Sequence, residues 1–447
     1  MSLGISEDNI TPIQSSEKKL GVVGTFFLWV AATLVVPTVM TGQMFIPDVA
    51  PLEAFEILVI ASIVGCVALA AMSLIGTRTG LPTLVVARGT FGYGGAKIIA
   101  VLNVIILGGW CFIQGYLGAL ALNQIFVGLL GFDNILLALF VTSGIVIVIT
   151  ILGHTGIQKI EGLASTAMIV VALFVIYMIL DKYEINSLYT FEVSSSPALT
   201  YAIIFDIVLA TAFSWIALTC DHNRYCKNST TGVVGVVSGY MIGTILAMGI
   251  GITVGAFSII DGMEPTYDPA VLLGGGVGLI AAFVMFLSAV STNIMATYSC
   301  IMSTMSVVPK ASYTKVAILI GLFCASGAFL QEILMASFFD WVLLVGALFI
   351  PVFSIMLADY FFVKKSDFNV DELVKSSNST LYRYTNGFNV KAIIVYFIGA
   401  AMSFYFTYVN PLEFGATALS FVATGILYIV VSNLFKAPVL SGVEPAK

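Results

Sequence analysis

Long apolar runs alternate with short polar stretches along nearly the whole chain. Runs of spanning length fall at about 20–46, 55–76, 98–127, 135–152, 163–181, 198–220, 231–259, 277–308, 314–331, 337–362, 391–409 and 415–435. Roughly 20 predominantly apolar residues cross the hydrocarbon core as a helix, so the pattern predicts twelve membrane helices. The charges between the runs test that count. With an inside N-terminus, alternate loops carry Lys18 and Lys19; Arg78, Arg88 and Lys97; Lys159; Arg224 and Lys227. They go on with Lys310 and Lys315; Lys364, Lys365, Lys375, Arg383 and Lys391; and Lys436 and Lys447. That puts 17 of the 18 basic residues on one side, leaving Lys182 among acidic loops on the other. One miscounted helix would have scrambled this bias, which predicts cytoplasmic N- and C-termini in the inner (plasma) membrane.

Composition agrees with the pattern. The chain is 59% hydrophobic and 9% charged over 447 residues, against about 25% charged in a soluble domain. The lipid bilayer is therefore its surroundings, and a net charge of −6 with no basic stripe excludes nucleic acid. Residues 1–18 are polar and the first apolar run is too long for a signal-peptide core, so no cleavable leader is expected. The six cysteines form no CxxC pair and read as buried thiols. No Walker, HExxH or GxSxG motif is present, and the expectation is a protein that is not an enzyme.

Two runs are not plain spans. The first holds Pro37 amid Thr33, Thr38, Thr41 and Gly42, a combination that either kinks or breaks a helix. The sixth holds Ser214 between Phe213 and Trp215. Broken helices at membrane depth line cavities, where their ends bind ions and substrates. First and sixth are equivalent positions if the chain holds two five-helix repeats of opposite sense, at 20–181 and 198–362. The remainder divides into a tail at 1–19, a loop at 363–390, a helix pair at 391–435 and a tail at 436–447.

Candidate chemistry gathers in the eighth run, Phe286-Leu-Ser-Ala-Val-Ser-Thr-Asn-Ile-Met-Ala-Thr-Tyr298. Ser288, Ser291 and Thr292, at i, i+3 and i+4, share one helix face, with Asn293 beside them. Hydroxyl and carbonyl oxygens suit a small hard cation such as Na⁺; they equally suit bonds to a neighbouring helix. In the third run Trp110 offers a flat face and Gln114, one turn on, an amide edge, as a planar heterocycle requires. Phe213 or Trp215 could close the other side. Near the bilayer centre only Asp206 is noted as ionisable, either an interfacial carboxylate or a proton-coupling group, and His154 and His222 are taken as loop residues. The substrate is therefore expected to be neutral.

Four ordered blocks carry a family resemblance. Gly76-Thr-Arg-Thr-Gly-Leu-Pro82 running on to Ala87-Arg-Gly-Thr-Phe-Gly92, Asp221-His-Asn-Arg-Tyr225, Ser291-Thr-Asn293 and Ala358-Asp-Tyr-Phe-Phe-Val-Lys-Lys365 resemble the first nucleobase–cation symporter family, which includes cytosine permeases. The resemblance implies an all-α, LeuT-type 5+5 inverted repeat plus two C-terminal helices. It also implies a Na⁺ between the first and eighth helices, at the carbonyls of Ala31, Leu34 and Ser288 and the hydroxyls of Ser291 and Thr292. Trp110, Gln114, Phe213, Ser214, Trp215 and Asn293 would line the substrate site. Cytosine permeases carry a glutamine three residues before this tryptophan, where the present chain has Leu107; hydantoin-type members carry it where Gln114 stands. The expected activity is sodium-coupled symport of a neutral nucleobase or related heterocycle. Proton coupling of the same substrates, or a passive channel, are the alternatives.

Overall fold

The computed structural model describes residues 8–273, 275–330, 333 and 338–435. Lys436 and Lys447 of the charge count lie outside them. The first run forms two helices, α1 (Val22–Thr33) and α2 (Val36–Gln43), bent by 59° across Leu34 and Val35. Pro37 sits in the first turn of α2, where its missing N–H is no loss, while Val35 is extended. The sequence signal for a broken helix is thus realised two residues before the proline.

α3 (Pro51–Thr79), α4 (Thr83–Leu130), α5 (Ile135–Ile151) and α6 (Gly153–Lys182) follow. In the sixth run α7 (Tyr201–Ser214) and α8 (Ile216–Asn223) are interrupted only at Trp215 and together make one span, a milder break than in the first. Then come α9 (Ser229–Ile260), a short α10 (Pro269–Leu273), α11 (Gly275–Val307) and α12 (Tyr313–Ser326). The chain ends with α13 (Phe338–Ala358), a short α14 (Val370–Val374), α15 (Val390–Phe404) and α16 (Thr417–Leu434).

Among the described residues nine helices are long and apolar enough to cross a membrane, and the bent α1–α2 pair makes a tenth. The fourth and ninth expected spans are the shorter helices α5 and α12. At 1.5 Å per residue these reach roughly 25 Å and 21 Å, short of a ~30 Å core. Among the described residues, then, up to ten spans and two shorter apolar helices fall on the apolar runs.

Packing puts α11 against α4 and wraps α9 around α1, α2 and α3. α9 can approach so closely because of its small residues: a Cβ on Gly251 would lie 2.0 Å from the Val39 carbonyl oxygen. α6 packs on both α1 and α11, so three helices meet at the break.

The family-like blocks interlock at the end of the bundle rich in basic residues. Asp221 accepts the Thr83 N–H (2.8 Å), and Asn223 accepts from Trp29 Nε1 (2.9 Å) while donating to Ser73 (2.7 Å). Arg88 donates to the Ser306 carbonyl (2.8 Å) and the Leu373 carbonyl (2.9 Å). The N-terminal segment crosses the same end: Asp8 accepts from Tyr298 and from the His154 N–H, and Arg224 donates to the Asn9 carbonyl.

Two expectations need correcting here, and a third residue gains a definite role. The stretch Ser366–Asn389 is polar and charged and reads in sequence as a solvated linker, yet it is docked. Asn389 donates to the Thr90 carbonyl (2.7 Å), and Gly94 N–H donates to the Gly387 carbonyl (2.7 Å). The kink at Gly92 (φ +77°) makes room, since a Cβ there would lie 2.4 Å from the Gly387 oxygen. His154 and His222 are buried helix residues, with His154 stacked on Tyr225 at 3.8 Å. Asp206 accepts the N–H groups of Ala416, Thr417 and Ala418 at 3.0–3.2 Å, so its carboxylate caps the start of α16.

Candidate functional site

The break in the first helix frees backbone oxygens. In an unbroken helix the Val35 N–H would donate to Ala31 and the Thr38 N–H to Leu34. Here Val35 donates to Thr33 (3.0 Å) and Thr38 to Val35 (3.0 Å), which releases the Ala31 and Leu34 carbonyls. Across from them α11 presents the three-oxygen face. Thr292 Oγ1 is 3.3 Å from the Ala31 oxygen and 3.5 Å from that of Ala32, donating toward both. Ser291 and Thr292 are buried, and Ser288 Oγ donates to the Met285 carbonyl at 3.1 Å. The set is all oxygen, with the freed Ala31 carbonyl facing the Thr292 hydroxyl and Ser291 next to it in the chain, which fits a hard monovalent cation better than a soft one.

Glu161 is the residue that sequence reasoning missed. It lies on α6, fully buried, and accepts a short hydrogen bond from Ser291 Oγ. The fifth run was expected to begin at 163 because Lys159 and Glu161 lower local hydropathy. The helix instead begins at Gly153. The available signal was periodicity: Ile157, Glu161, Ala164, Met168, Ala172, Val175 and Ile179 form one buried stripe, whereas Lys159 is exposed.

The aromatic candidates divide. Trp110 is half-buried and packs with Val36, Ile113 and Leu117 beside Met40, Tyr267 and Met285. One turn on, Gln114 is buried, and its Oε1 has no hydrogen-bond partner among the described residues. Asn293 joins the same seam between α4 and α11, donating to the Cys111 carbonyl (3.2 Å) and accepting from Thr297 (3.2 Å). Trp215 meets Trp29 edge-on at 6.2 Å, and Ser214 Oγ donates to the Thr211 carbonyl. Phe213 instead packs on Phe421 of α16 at 4.4 Å. A mainly apolar crevice, lined by Leu34, Val36, Val39, Tyr267, Met285 and Ser288, touches both the helix break and the wall around Trp110.

All six cysteines are free and buried, and the sulfurs of Cys111, Cys300 and Cys324 lie within 4.8 Å of one another.

Comparison with known proteins agrees with this architecture. Among solved structures, Mhp1, a nucleobase-cation-symport-1 family transporter in a closed conformation with bromovinylhydantoin bound, superposes with a TM-score of 0.81 at 21% identity, covering 97% of both chains. A Na⁺-coupled sialic acid symporter gives 0.69 at 14% identity, covering 97% of this chain and 92% of its own. The fold is thus the all-helical LeuT type. Among curated relatives, the purine-uracil permease of Arabidopsis thaliana is 24% identical, over 98% of this chain and 76% of its own. The hydantoin permease of Microbacterium maritypicum is also 24% identical, over 88% and 83%. The cytosine permease of Escherichia coli strain K12 shares 24% identity over 78% and 80%. The family described as permease for cytosine/purines, uracil, thiamine, allantoin matches residues 12–429. The chain belongs to this nucleobase–cation symporter family, a family of secondary transporters and not of enzymes.

Proposed function

We propose that the protein is a sodium-coupled symporter of a neutral, planar nucleobase or hydantoin-like heterocycle, working by alternating access in the inner (plasma) membrane with both termini cytoplasmic. One observation carries the reading: Thr292 on α11 faces the Ala31 carbonyl released by the break between α1 and α2. The Ala31, Leu34 and Ser288 carbonyls and the Ser291 and Thr292 hydroxyls would hold Na⁺. When bound there, the ion supplies a positive charge that ties α1 to α11.

The substrate reading rests on the seam beside it. Trp110 offers a face for stacking, and Gln114 and Asn293 offer amides for the edge of a ring. Gln114 Oε1 lacks a partner among the described residues, as befits an acceptor kept for a ligand N–H. Asn293 is the neighbour of Thr292 on α11, so ordering one side of the helix orders the other. Ion and substrate would then each raise the other's affinity by one shared factor. Low internal Na⁺ would favour release once the bundle rocks inward.

Uptake of a panel of labelled nucleobases and hydantoins into proteoliposomes, with Na⁺ or choline outside, tests the proposal. Na⁺-stimulated, saturable uptake of at least one ring compound is expected. Equal uptake in choline, with or without a pH gradient, would leave a passive carrier. Stimulation by acid alone would replace sodium with the proton.

A further inference from the structure

Glu161 is not accounted for by anything above. It sits eight residues inside α6, is fully buried, and has no ion-pair partner among the described residues. Only Oε2 is bonded, to Ser291; Oε1 is buried without a partner among the described residues. A carboxylate left alone at such depth is strongly disfavoured, and in membrane helices such groups face cavities or pathways and pair with something of opposite charge. Its single polar contact is Ser291, the residue next to Thr292, whose hydroxyl donates to the freed Ala31 carbonyl.

We propose that Glu161 is the anionic member of the cation site between α1, α6 and α11, so that the loaded site is formally neutral. The inference rests on the sodium reading above and adds to it a charge that the carbonyl and hydroxyl set lacks. Ser291 has one hydrogen and two lone pairs. By accepting that hydrogen, Glu161 Oε2 fixes the hydroxyl with its lone pairs free for a cation. Oε1, the unpartnered oxygen, is available as a further acceptor. Thr292 donates instead to the Ala31 and Ala32 carbonyls and must rotate away from them to serve as a ligand. The two hydroxyls therefore differ: Ser291 is pre-set by Glu161, and Thr292 is released as the site fills. Glu161 acts through Ser291 as a positioning residue and through space by its charge.

The test is a NaCl titration of thermal stability of the purified full chain, at constant ionic strength with choline chloride, alongside direct ²²Na⁺ binding. Wild type, Glu161→Gln, Glu161→Met and Thr292→Ala are compared, each also assayed for binding of the best ring substrate at saturating Na⁺. Glu161→Gln is expected to raise the half-saturating Na⁺ concentration on the order of 100- to 1,000-fold, the effect of removing one unit charge about 4–6 Å from the ion in a medium of effective dielectric near 20. Substrate affinity at saturating Na⁺ should return to the wild-type value, a split that a merely structural role would not produce. If Glu161→Gln fails to fold, Glu161→Met carries the same test, because it removes the charge and both buried carboxyl oxygens, and the Ser291 hydroxyl can turn to a backbone carbonyl of its own helix. Wild-type Na⁺ affinity in the neutral variants, with Thr292→Ala impaired, would overturn the inference and leave the sodium reading standing. If wild type itself shows no response to Na⁺, the sodium reading fails and this inference with it.

Discussion

At the scale of single residues, the candidate site is a contact between one hydroxyl and two carbonyls that a helix would normally keep for itself. Thr292 and Trp110 serve different ends of it, so their variants should separate. Thr292→Ala removes a hydroxyl that bonds to a charge, an interaction worth about 1.5–3 kcal/mol, and should weaken Na⁺ binding about 10-fold or more without reordering substrate preference. Trp110→Ala removes a stacking face worth about 1–3 kcal/mol per base and should weaken substrate binding about 5- to 150-fold while Na⁺ still stabilises the protein. Isothermal titration of each variant with the ring compound, paired with Na⁺-dependent thermal shifts, checks both. The oxygen face of α11 was legible in the sequence because hydroxyls at i, i+3 and i+4 need only helical geometry to converge. The partner carbonyls of Ala31 and Leu34 were not, since backbone oxygens carry no residue signature and came only from the family resemblance. Glu161 was hidden by its exposed neighbour Lys159, which made a buried helical stripe look like a loop. Asp206 was visible as an ionisable group, but that it caps α16 depends on a contact about 210 positions along the chain.

At the scale of elements, the broken first helix is held by α9. The Gly251 site admits no side chain, because its Cβ position lies against the Val39 carbonyl of α2 and that backbone cannot step aside. Gly251→Val should destabilise the protein by about 1–3 kcal/mol, the usual penalty of overpacking, and lower its apparent melting temperature. An unchanged melting curve would mean that α2 does not rest on α9 as described. The docked loop behind α13 offers an independent check. Its Glu372 accepts from Lys375, the Leu381 N–H, Ser379 and the Thr380 N–H, which together hold its carboxyl down at about 2. A depressed carboxylate contributes its stability above the ordinary value of 4.5 and loses it as pH falls toward about 2. Hydrogen exchange across 366–389 should therefore keep its protection from pH 7 to 5 and lose it progressively below about 4.5. In Glu372→Gln that acid-dependent loss should be absent. Composition marked this loop as solvated because it is polar, but polarity does not distinguish groups bonded to water from groups bonded to one another. Pro37 did announce the break in α1–α2, whereas Ser214 announced only a one-residue interruption at Trp215.

At the scale of the whole molecule, alternation of apolar runs was enough to reach an all-helical membrane bundle. That signal is strong because the bilayer leaves few ways to satisfy a backbone. What it could not supply is which helices touch. That α11 seats on α4, and that α6 brings a carboxylate to the meeting of α1 and α11, follow from packing between segments far apart in the chain. The functional account joins these levels: a break frees oxygens, a neighbouring helix supplies hydroxyls, and the same helix carries Asn293 to the seam beside Trp110. The claim at its centre is that cation and ring bind as a coupled pair. Calorimetric titration of the purified protein with its ring substrate, in Na⁺ and in choline, and with Na⁺ with and without the substrate, measures that coupling in both directions. The account predicts one factor, about 5- to 150-fold, obtained identically whichever ligand is added first. A substrate affinity that is the same in Na⁺ and in choline would contradict it.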